Sequence, residues 1–358
     1  MATRPAKQEQ QRASDEVVEV APGVLRLQLP ISMPGLGHVN TYAMEDADGI
    51  AVVDPGIPGK ESWAALLSRM DAAGLPLKRV HTVLVTHSHP DHYGGAGRMV
   101  EESGATIVTH TDFHTWDTPI HRCDDASHEH DDEAEATVAG PPWTRPSPWG
   151  GARFKPPLKR RIAYGVFRPM ARKRWSPPTP GRTLADGDEI HLAGRPWIAR
   201  HTPGHTIDHL CLHDPTEGVL LSGDHVLPTI TPHISGIGTA CDPLDDFLRS
   251  LDAVAALDDV RTVLPAHGQP FADLKGRTAS IKEHHQERLE TLRTASEGHG
   301  WASVEALSHE LFRERSWGPM AESETYAHLE HLRRAGQAER RRADELLEYR
   351  VLPTPAAP

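Results

Sequence analysis

The chain has 358 residues, an apolar fraction of 38% and a formal net charge of −12. Its length suits one large or two modest domains, and its negative charge disfavours nucleic acid and anionic membranes as partners. It contains no run of the roughly 18 apolar residues that a membrane span requires, and its polar N-terminus does not resemble a secretory signal. We therefore expect a cytoplasmic protein without a membrane segment.

Strands and helices alternate along the chain after an N-terminal tail. Residues 1–16 are polar and predict a disordered tail, and residues 30–37 predict a loop rich in Pro and Gly. Strand–helix alternation is typical of α/β architectures. Apolar and amphipathic patterns predict strands at residues 17–20, 23–29, 39–44, 49–53, 80–85 and 105–109, and helices at residues 62–73 and 96–101.

A long insertion at residues 112–180 interrupts this alternation. Residues 124–135 are acidic, whereas residues 153–175 contain nine Lys or Arg side chains, several aromatic side chains and no Asp or Glu. A segment of this length inside a compact domain is typically functional or disordered. We interpret it as a lid whose cations contact an anionic or amphipathic substrate. The alternatives are a solvated surface loop and a basic run that neutralises the acidic one.

The alternation resumes beyond the insertion and then gives way to a helical C-terminal region. Residues 276–358 contain 12 Lys or Arg and 14 Asp or Glu, a balance that disfavours a phosphate-binding face. The patterns predict strands at residues 197–201, 209–213, 218–222 and 261–265, helices at residues 243–257, 277–295, 303–312 and 322–335, and a hairpin at residues 339–351.

Three histidines and one aspartate lie within six residues, directly after the strand predicted at residues 80–85. The stretch reads His-Ser-His-Pro-Asp-His over residues 87–92 and precedes two glycines, so we place it on a strand-to-helix loop kept out of regular structure by Pro90. Imidazole and carboxylate are preferred ligands of zinc and similar ions. Further candidate residues each follow an apolar run, namely Asp54, His205, Asp224 and His267.

This set of motifs resembles that of the metallo-β-lactamase superfamily over residues 17–275. The resemblance implies a four-layer αββα sandwich with two divalent metal ions, for which we expect zinc, with iron or manganese as alternatives. Seven ligands suit two ions, since a catalytic zinc takes about three protein ligands and a water. By resemblance, the first metal is bound by His87, His89 and His205, the second by Asp91, His92 and His267, and Asp224 bridges both.

The same resemblance implies a hydrolase that acts on a small molecule. Members that hydrolyse β-lactams typically lack the bridging aspartate, so Asp224 favours the glyoxalase II-like branch and an ester, thioester or lactone bond. The nucleophile is expected to be a metal-bridging hydroxide, which Asp91 holds and orients. Asp54 is expected to fix a ligand imidazole from behind, or alternatively only to end a strand.

Other functions stay open on the sequence. Residues 276–351 resemble a winged helix, a module that some lactamase-like hydrolases, including an endoribonuclease, carry, so the alternative function is that of a phosphodiesterase or endoribonuclease. For this region we favour packing or dimerisation, so a homodimer is one expectation. An iron-dependent relative such as a persulfide dioxygenase would use only two histidines and one aspartate. A purely binding role is disfavoured, because the whole ligand set is present.

Several further residues have less specific interpretations. His38, His225 and His233 are candidates either for the pocket lining or for packed positions. Alternation around Cys211 places that residue in the core, and the three cysteines of the chain predict no disulfide framework. The adjacent pair at residues 284 and 285 lies on a charged helix and is expected to be exposed.

Overall fold

The computed structural model describes residues 7–114, 147–151, 179–237 and 240–353. The acidic run at 124–135 and the basic run at 153–175 lie outside these residues, so the lid interpretation stays a prediction.

A seven-stranded sheet forms the first half of the fold. Its strands follow one another in space in chain order. The first four are antiparallel neighbours, and the remaining neighbours are parallel. The strands β1 to β7 are Val17–Ala21, Val24–Met33, Leu36–Glu45, Ile50–Val53, Val80–Leu84, Thr106–His110 and Arg182–Leu184.

A five-stranded sheet forms the second half. Its strands β8 to β12 are Glu189–Leu192, Arg195–His201, Leu210–Asp214, Val219–Gly223 and Thr262–Pro265. The spatial order is β12-β11-β10-β9-β8, with β11 and β12 parallel and the other neighbours antiparallel.

The two sheets pack face to face through an apolar core. Tyr42, Val53 and Leu84 of the first sheet meet Trp197 and Leu212 of the second. All five side chains are at most 2% exposed, so this interface excludes water. Burial of this kind is the main favourable term in folding.

Helices cover the outer faces of both sheets. The helices α1 to α3 are Lys60–Ala72, Pro90–Tyr93 and Ala96–Ser103. Trp63 and Leu66 of α1 pack with Met99 of α3 against the outer face of the first sheet. The helices α4 and α5, Pro243–Ala255 and Leu274–His299, cover the second sheet through an apolar cluster that includes Phe247 and Ile281. The resulting order of layers, αββα, confirms the predicted fold class.

The C-terminal region continues from the second helical layer. Two further helices, α6 (Val304–Leu311) and α7 (Pro319–Arg334), precede a hairpin of β14 (Ala338–Ala343) and β15 (Leu346–Val351), and β13 (Ala302–Ser303) pairs with β15. The predicted order of three helices and a hairpin is therefore present. Its winged-helix identity stays a prediction, and so does the boundary between residues 275 and 276, which falls in the first turn of α5.

The C-terminal helices share one apolar core with the helices of the second sheet. Leu307 of α6, Leu329 of α7 and Tyr349 of β15 belong to the same buried cluster as Phe247 and Leu251 of α4. The C-terminal region therefore packs on the helices of the second sheet, whereas its role in packing or dimerisation stays a prediction.

The segment at residues 7–16 differs from the expected disordered tail. Glu9 is fully buried, and its carboxylate accepts hydrogen bonds from the backbone N–H groups of Thr229 (2.7 Å) and Ile230 (3.0 Å). A carboxylate held by two N–H donors ties this polar segment to the fold, which hydropathy alone does not reveal.

Other expectations are corrected locally. Residues 30–37, expected as a loop, instead lie mostly in the long hairpin of β2 and β3, which turns between Met33 and Leu36. His285 is fully buried rather than exposed, because it packs against Phe247 and His328. Cys211 lies in the core as expected, but Cys241 forms a disulfide bond, against the prediction. Among the described residues, each helix is too short or too polar to span a bilayer.

Candidate metal centre

The loop that follows β5 presents the first ligands. Pro90 starts the single helical turn of α2, so the expectation that this proline keeps the loop irregular is wrong. Proline suits the first helical position, where its missing N–H would have no partner in any case. The turn brings Asp91 and His92 into the interior on consecutive residues.

Four side chains form the first candidate ligand group. His87 Nε2 lies 3.0 Å from His89 Nδ1, which lies 3.1 Å from His205 Nε2. One carboxylate oxygen of Asp224 lies 3.5 Å from His205 Nε2 and 3.9 Å from His87 Nε2. All four ligand atoms lie within 4.8 Å of one another, as ligands of a single ion do.

Three side chains form the second group, which meets the first at Asp224. Asp91 Oδ2 lies 3.7 Å from His92 Nε2 and 3.6 Å from His267 Nε2. Asp224 Oδ2 lies 3.6 Å from His92 Nε2, and its Oδ1 lies 3.3 Å from His267 Nε2. The Asp224 carboxylate therefore stands between the two groups, and the structure brings together all seven residues predicted as ligands.

Hydrogen bonds fix the orientation of the ligand imidazoles. Four of them present Nε2 to the cluster and donate Nδ1–H to a protein oxygen on the far side, which selects the tautomer that can bind a metal. These bonds are His87 to Thr86 Oγ1 (3.0 Å), His92 to Asp54 Oδ2 (2.8 Å), His205 to the carbonyl of His233 (2.8 Å) and His267 to the carbonyl of His38 (2.6 Å).

The electrostatics of the cluster favour a cation. Burial raises the pKa of Asp224, but His267 and His92 outweigh burial and hold that pKa well below its usual range. Burial lowers the pKa of His92, but Asp54 and Asp91 outweigh it and raise that pKa well above the ordinary value. The two buried carboxylates, Asp91 and Asp224, thus favour positive charge at this point of the fold, which a divalent ion would supply.

Unpartnered atoms support the same conclusion. His92 Nε2, His267 Nε2 and Asp224 Oδ1 are buried and have no hydrogen-bond partner among the described residues. Buried polar atoms without partners are costly, so three that face one another indicate a shared ligand. The donor set of imidazoles and carboxylates fits zinc, iron or manganese.

Comparison with known proteins identifies the family to which this chain belongs. Residues 34–267 match the family model described as the metallo-beta-lactamase superfamily. The chain belongs to the metallo-beta-lactamase superfamily. Members of this superfamily are metal-dependent hydrolases, and the chain is therefore an enzyme of that type.

Individual relatives extend the similarity beyond the metal-binding part. A metallo-beta-lactamase family protein from Thermus thermophilus superposes with a TM-score of 0.70 and 30% identity, over 93% of this chain and 100% of that one. The lactamase-like protein adaB of Aspergillus niger is 23% identical over 300 residues, 83% of this chain and 68% of its own length. The acyl-coenzyme A thioesterase MBLAC2 of Gallus gallus is 27% identical over 254 residues, 65% of this chain and 74% of its own.

Asp54 supports the metallo-beta-lactamase centre from behind. Its Oδ2 accepts hydrogen bonds from His92 Nδ1 and Thr86 Oγ1, and its Oδ1 accepts from the Thr86 N–H, each at 2.8 Å. Through Thr86 it also braces His87. Asp54 has φ 53°, in the left-handed region that costs most residues energy and that Asp tolerates better than most. Such contacts are the ones that a supporting role of Asp54 requires, and the role itself stays a prediction.

Two glycines allow the close approach of other ligand loops. Gly204, which precedes His205, has φ 130°, and a Cβ there would lie 2.4 Å from the backbone of Phe247. Gly223, which precedes Asp224, has φ 51°, and a Cβ there would lie 2.6 Å from His209 Nε2. A side chain at either position would displace a ligand or a core element.

Sequence reasoning missed the residues that hold the ligands through long-range contacts. His209 is buried, and its Nε2 accepts the backbone N–H of Asp224 (3.0 Å) while its Nδ1–H donates to Thr202 Oγ1 (2.7 Å). Thr86 lies between the strand β5 and the metal-binding motif. This position was the only sequence feature that could have indicated a supporting role for Thr86. His225, by contrast, is packed beside Phe247 rather than lining a pocket.

Two other clusters of potential ligands are explained without a metal. His110 stacks on His201 at 3.9 Å, and its Nδ1 accepts the backbone N–H of Asp112, so this group already satisfies itself. In the cluster of His285, Glu324 and His328, the carboxylate pairs with the guanidinium of Arg288, which would repel a cation.

Asp54→Asn should weaken zinc binding by about 10- to 100-fold, the usual cost of losing an outer partner of a ligand. The amide would turn an N–H donor towards either His92 Nδ1–H or Thr86 N–H. Zinc affinity, measured by competition with a chromophoric chelator, checks this. Asp344→Asn is the matched control, because Asp344 has a similar φ of 52° but lies in the C-terminal hairpin. Unchanged affinity in Asp54→Asn would mean that Asp54 merely ends its strand.

Proposed function

We propose that this enzyme binds two divalent ions, zinc before iron or manganese, and hydrolyses a thioester, ester or lactone of a small molecule. The observation that carries the proposal is the position of Asp224, whose two oxygens face His205 and His92 on one side and His267 on the other. A carboxylate with access to both ligand groups can bridge two ions. Seven buried or half-buried donors are also more than one ion requires.

The division of roles among the residues follows from their positions. When bound, the ions lower the pKa of water to near 7 and polarise the carbonyl oxygen of the substrate. Asp91 is buried beside His92 and His267, where its carboxylate can accept a proton of the attacking water and orient it. Asp54 keeps the His92 ring in place during the reaction and is a positioning residue.

The substrate class is supported by two independent considerations. Relatives that cleave β-lactams typically lack an aspartate at the bridging position, so Asp224 favours the glyoxalase II-like branch. The similarity to an acyl-coenzyme A thioesterase over 65% of the chain supports a thioester in particular.

The alternative functions have less support. In the region that resembles a winged helix, two arginines are paired with carboxylates, as Arg340–Glu330 and Arg341–Glu348, which leaves less positive charge for phosphodiester binding. An iron-dependent oxygenase would use two histidines and one carboxylate, whereas here both ligand groups are assembled.

A panel of substrates tests the proposal. The purified protein should hydrolyse an acyl-coenzyme A, lose the activity on treatment with a chelator, and regain it with Zn²⁺. The same assay on a lactone, a β-lactam and a bis-aryl phosphodiester provides the comparison. Faster turnover of the phosphodiester than of every carboxylic ester would replace this proposal by the phosphodiesterase alternative.

A further inference from the structure

The ring of His205 takes its orientation from the loop between β11 and α4. His205 donates Nδ1–H to the backbone carbonyl of His233, at 2.8 Å. A displacement of this carbonyl would release the ring that presents Nε2 to the cluster. The position of residue 233 is therefore part of the metal centre, although its own side chain is outside both ligand groups.

The same loop is fastened to α7 of the C-terminal region. His233 Nδ1 lies 3.1 Å from Glu324 Oε2. The Gly236 N–H donates to the carbonyl and hydroxyl oxygens of Ser323, both at 3.1 Å, and the Ser235 hydroxyl lies 3.2 Å from that of Ser323. Consecutive residues of α7 thus hold both ends of the stretch 233–236.

Glu324 is itself held in one orientation. Its side chain is only 9% exposed, and its Oε1 accepts a hydrogen bond from the guanidinium of Arg288 on α5. Burial raises the pKa of Glu324, but the hydrogen bond from His233 and the charge of Arg288 outweigh burial and lower it to about 2. The carboxylate is therefore ionised at neutral pH and accepts from His233 Nδ1–H, a charge-assisted bond.

We propose that Glu324 is a positioning residue for the metal ligand His205, acting through His233, and that the C-terminal helices complete the metal centre. Arg288 contacts the carboxylate of Glu324, and this carboxylate contacts the imidazole of His233. The backbone carbonyl of His233 in turn accepts the hydrogen bond from His205 Nδ1. This inference rests on the metal binding in the proposed function but not on the substrate.

Metal affinity tests the inference directly. Glu324→Gln keeps the shape of the side chain but loses the charge that orients His233. We expect about tenfold weaker zinc binding, at the low end for outer partners, because the effect passes through one intermediate residue. A change in the visible absorption spectrum of the Co²⁺-substituted protein should accompany it, since that spectrum reports ligand geometry.

Glu330→Gln provides the matched control. Glu330 lies on the same helix, is 8% exposed and pairs with Arg340, but it faces the C-terminal hairpin instead of the metal loop. The Glu330→Gln substitution should lower Tm without changing the zinc affinity or the Co²⁺ spectrum. Equal losses of affinity in both variants would reduce Glu324 to a general stabilising role and overturn the inference.

A second variant guards against misfolding of the first. His233→Ala removes the imidazole but retains the backbone carbonyl, and it should weaken zinc binding to the same extent as Glu324→Gln. The double variant should be no weaker than either single one, because residues acting in series are not additive. Full additivity of the two losses of zinc affinity would overturn the inference.

A zinc affinity of Glu324→Gln equal to that of the wild type would also overturn the inference, whatever substrate the enzyme cleaves. Absence of thioester activity with these affinity changes intact would refute only the proposed substrate.

Discussion

Asp91→Ala should lower kcat by about 10²- to 10⁴-fold, the range for losing a group that handles a proton in the transition state. The same change should leave the secondary structure intact. The Asp91 carboxylate lies 3.6–3.7 Å from the ring nitrogens of His92 and His267, beyond ordinary hydrogen-bond distance, so its removal breaks no hydrogen bond to these two rings. Turnover, metal content and far-UV circular dichroism should be measured on one preparation.

Asp214→Ala is the control for this experiment. Asp214 is also a buried aspartate, but it pairs with Arg195 and lies at the opposite end of the β10–β11 hairpin from the metal centre. The Asp214→Ala substitution should lower Tm and leave kcat unchanged. Turnover of Asp91→Ala within a factor of two of the wild type would remove Asp91 from the mechanism.

Asp224→Ala should reduce the metal content from close to two ions per chain to one at most. Among the candidate ligands in the described ranges, the Asp224 carboxylate alone faces both groups, and the three atoms it approaches at 3.3–3.6 Å belong to His205, His92 and His267. Removing it deprives each ion of a ligand and leaves a smaller negative charge to balance the ions. Elemental analysis after removal of free metal measures the effect.

The Asp214→Ala protein gives the baseline of two ions for this measurement as well. If the wild type holds a single ion and Asp224→Ala still holds it, the dinuclear interpretation is wrong. A single ion lost on changing His205 but retained on changing His267 would place it in the first ligand group.

The ligands could be predicted from the sequence because each follows a strand. Parallel neighbours such as β4 and β5, or β11 and β12, end at the same edge of a sheet, and residues directly after them are held near one another. Local pattern and chain order therefore sufficed to locate the candidate residues, whereas the four-layer order and the division of the seven ligands between two ions came from the resemblance to the metallo-β-lactamase superfamily. Helix and strand limits shifted by a few residues, because tertiary packing determines where an element ends.

The supporting contacts could not be predicted in the same way. The carbonyl groups of His38 and His233 are available in any sequence, and their use depends on how loops cross in space. Burial of Glu9 depends on N–H donors some 220 positions away along the chain. Hydrophobic periodicity contains no information about such polar contacts, so Glu9 was assigned to a tail.

The ligand set is divided between the two sheets. The loop after β5 of the first sheet supplies His87, His89, Asp91 and His92, whereas the second sheet supplies His205, Asp224 and His267. Bound ions would therefore cross-link the halves of the sandwich, and their binding free energy would add to the free energy of unfolding, by about 4 kcal/mol at a metal concentration of a thousand times Kd. Neither half alone has a complete site for either ion. The supply of metal in the cell would then determine the resistance of the folded chain to proteolysis, as well as its catalytic rate.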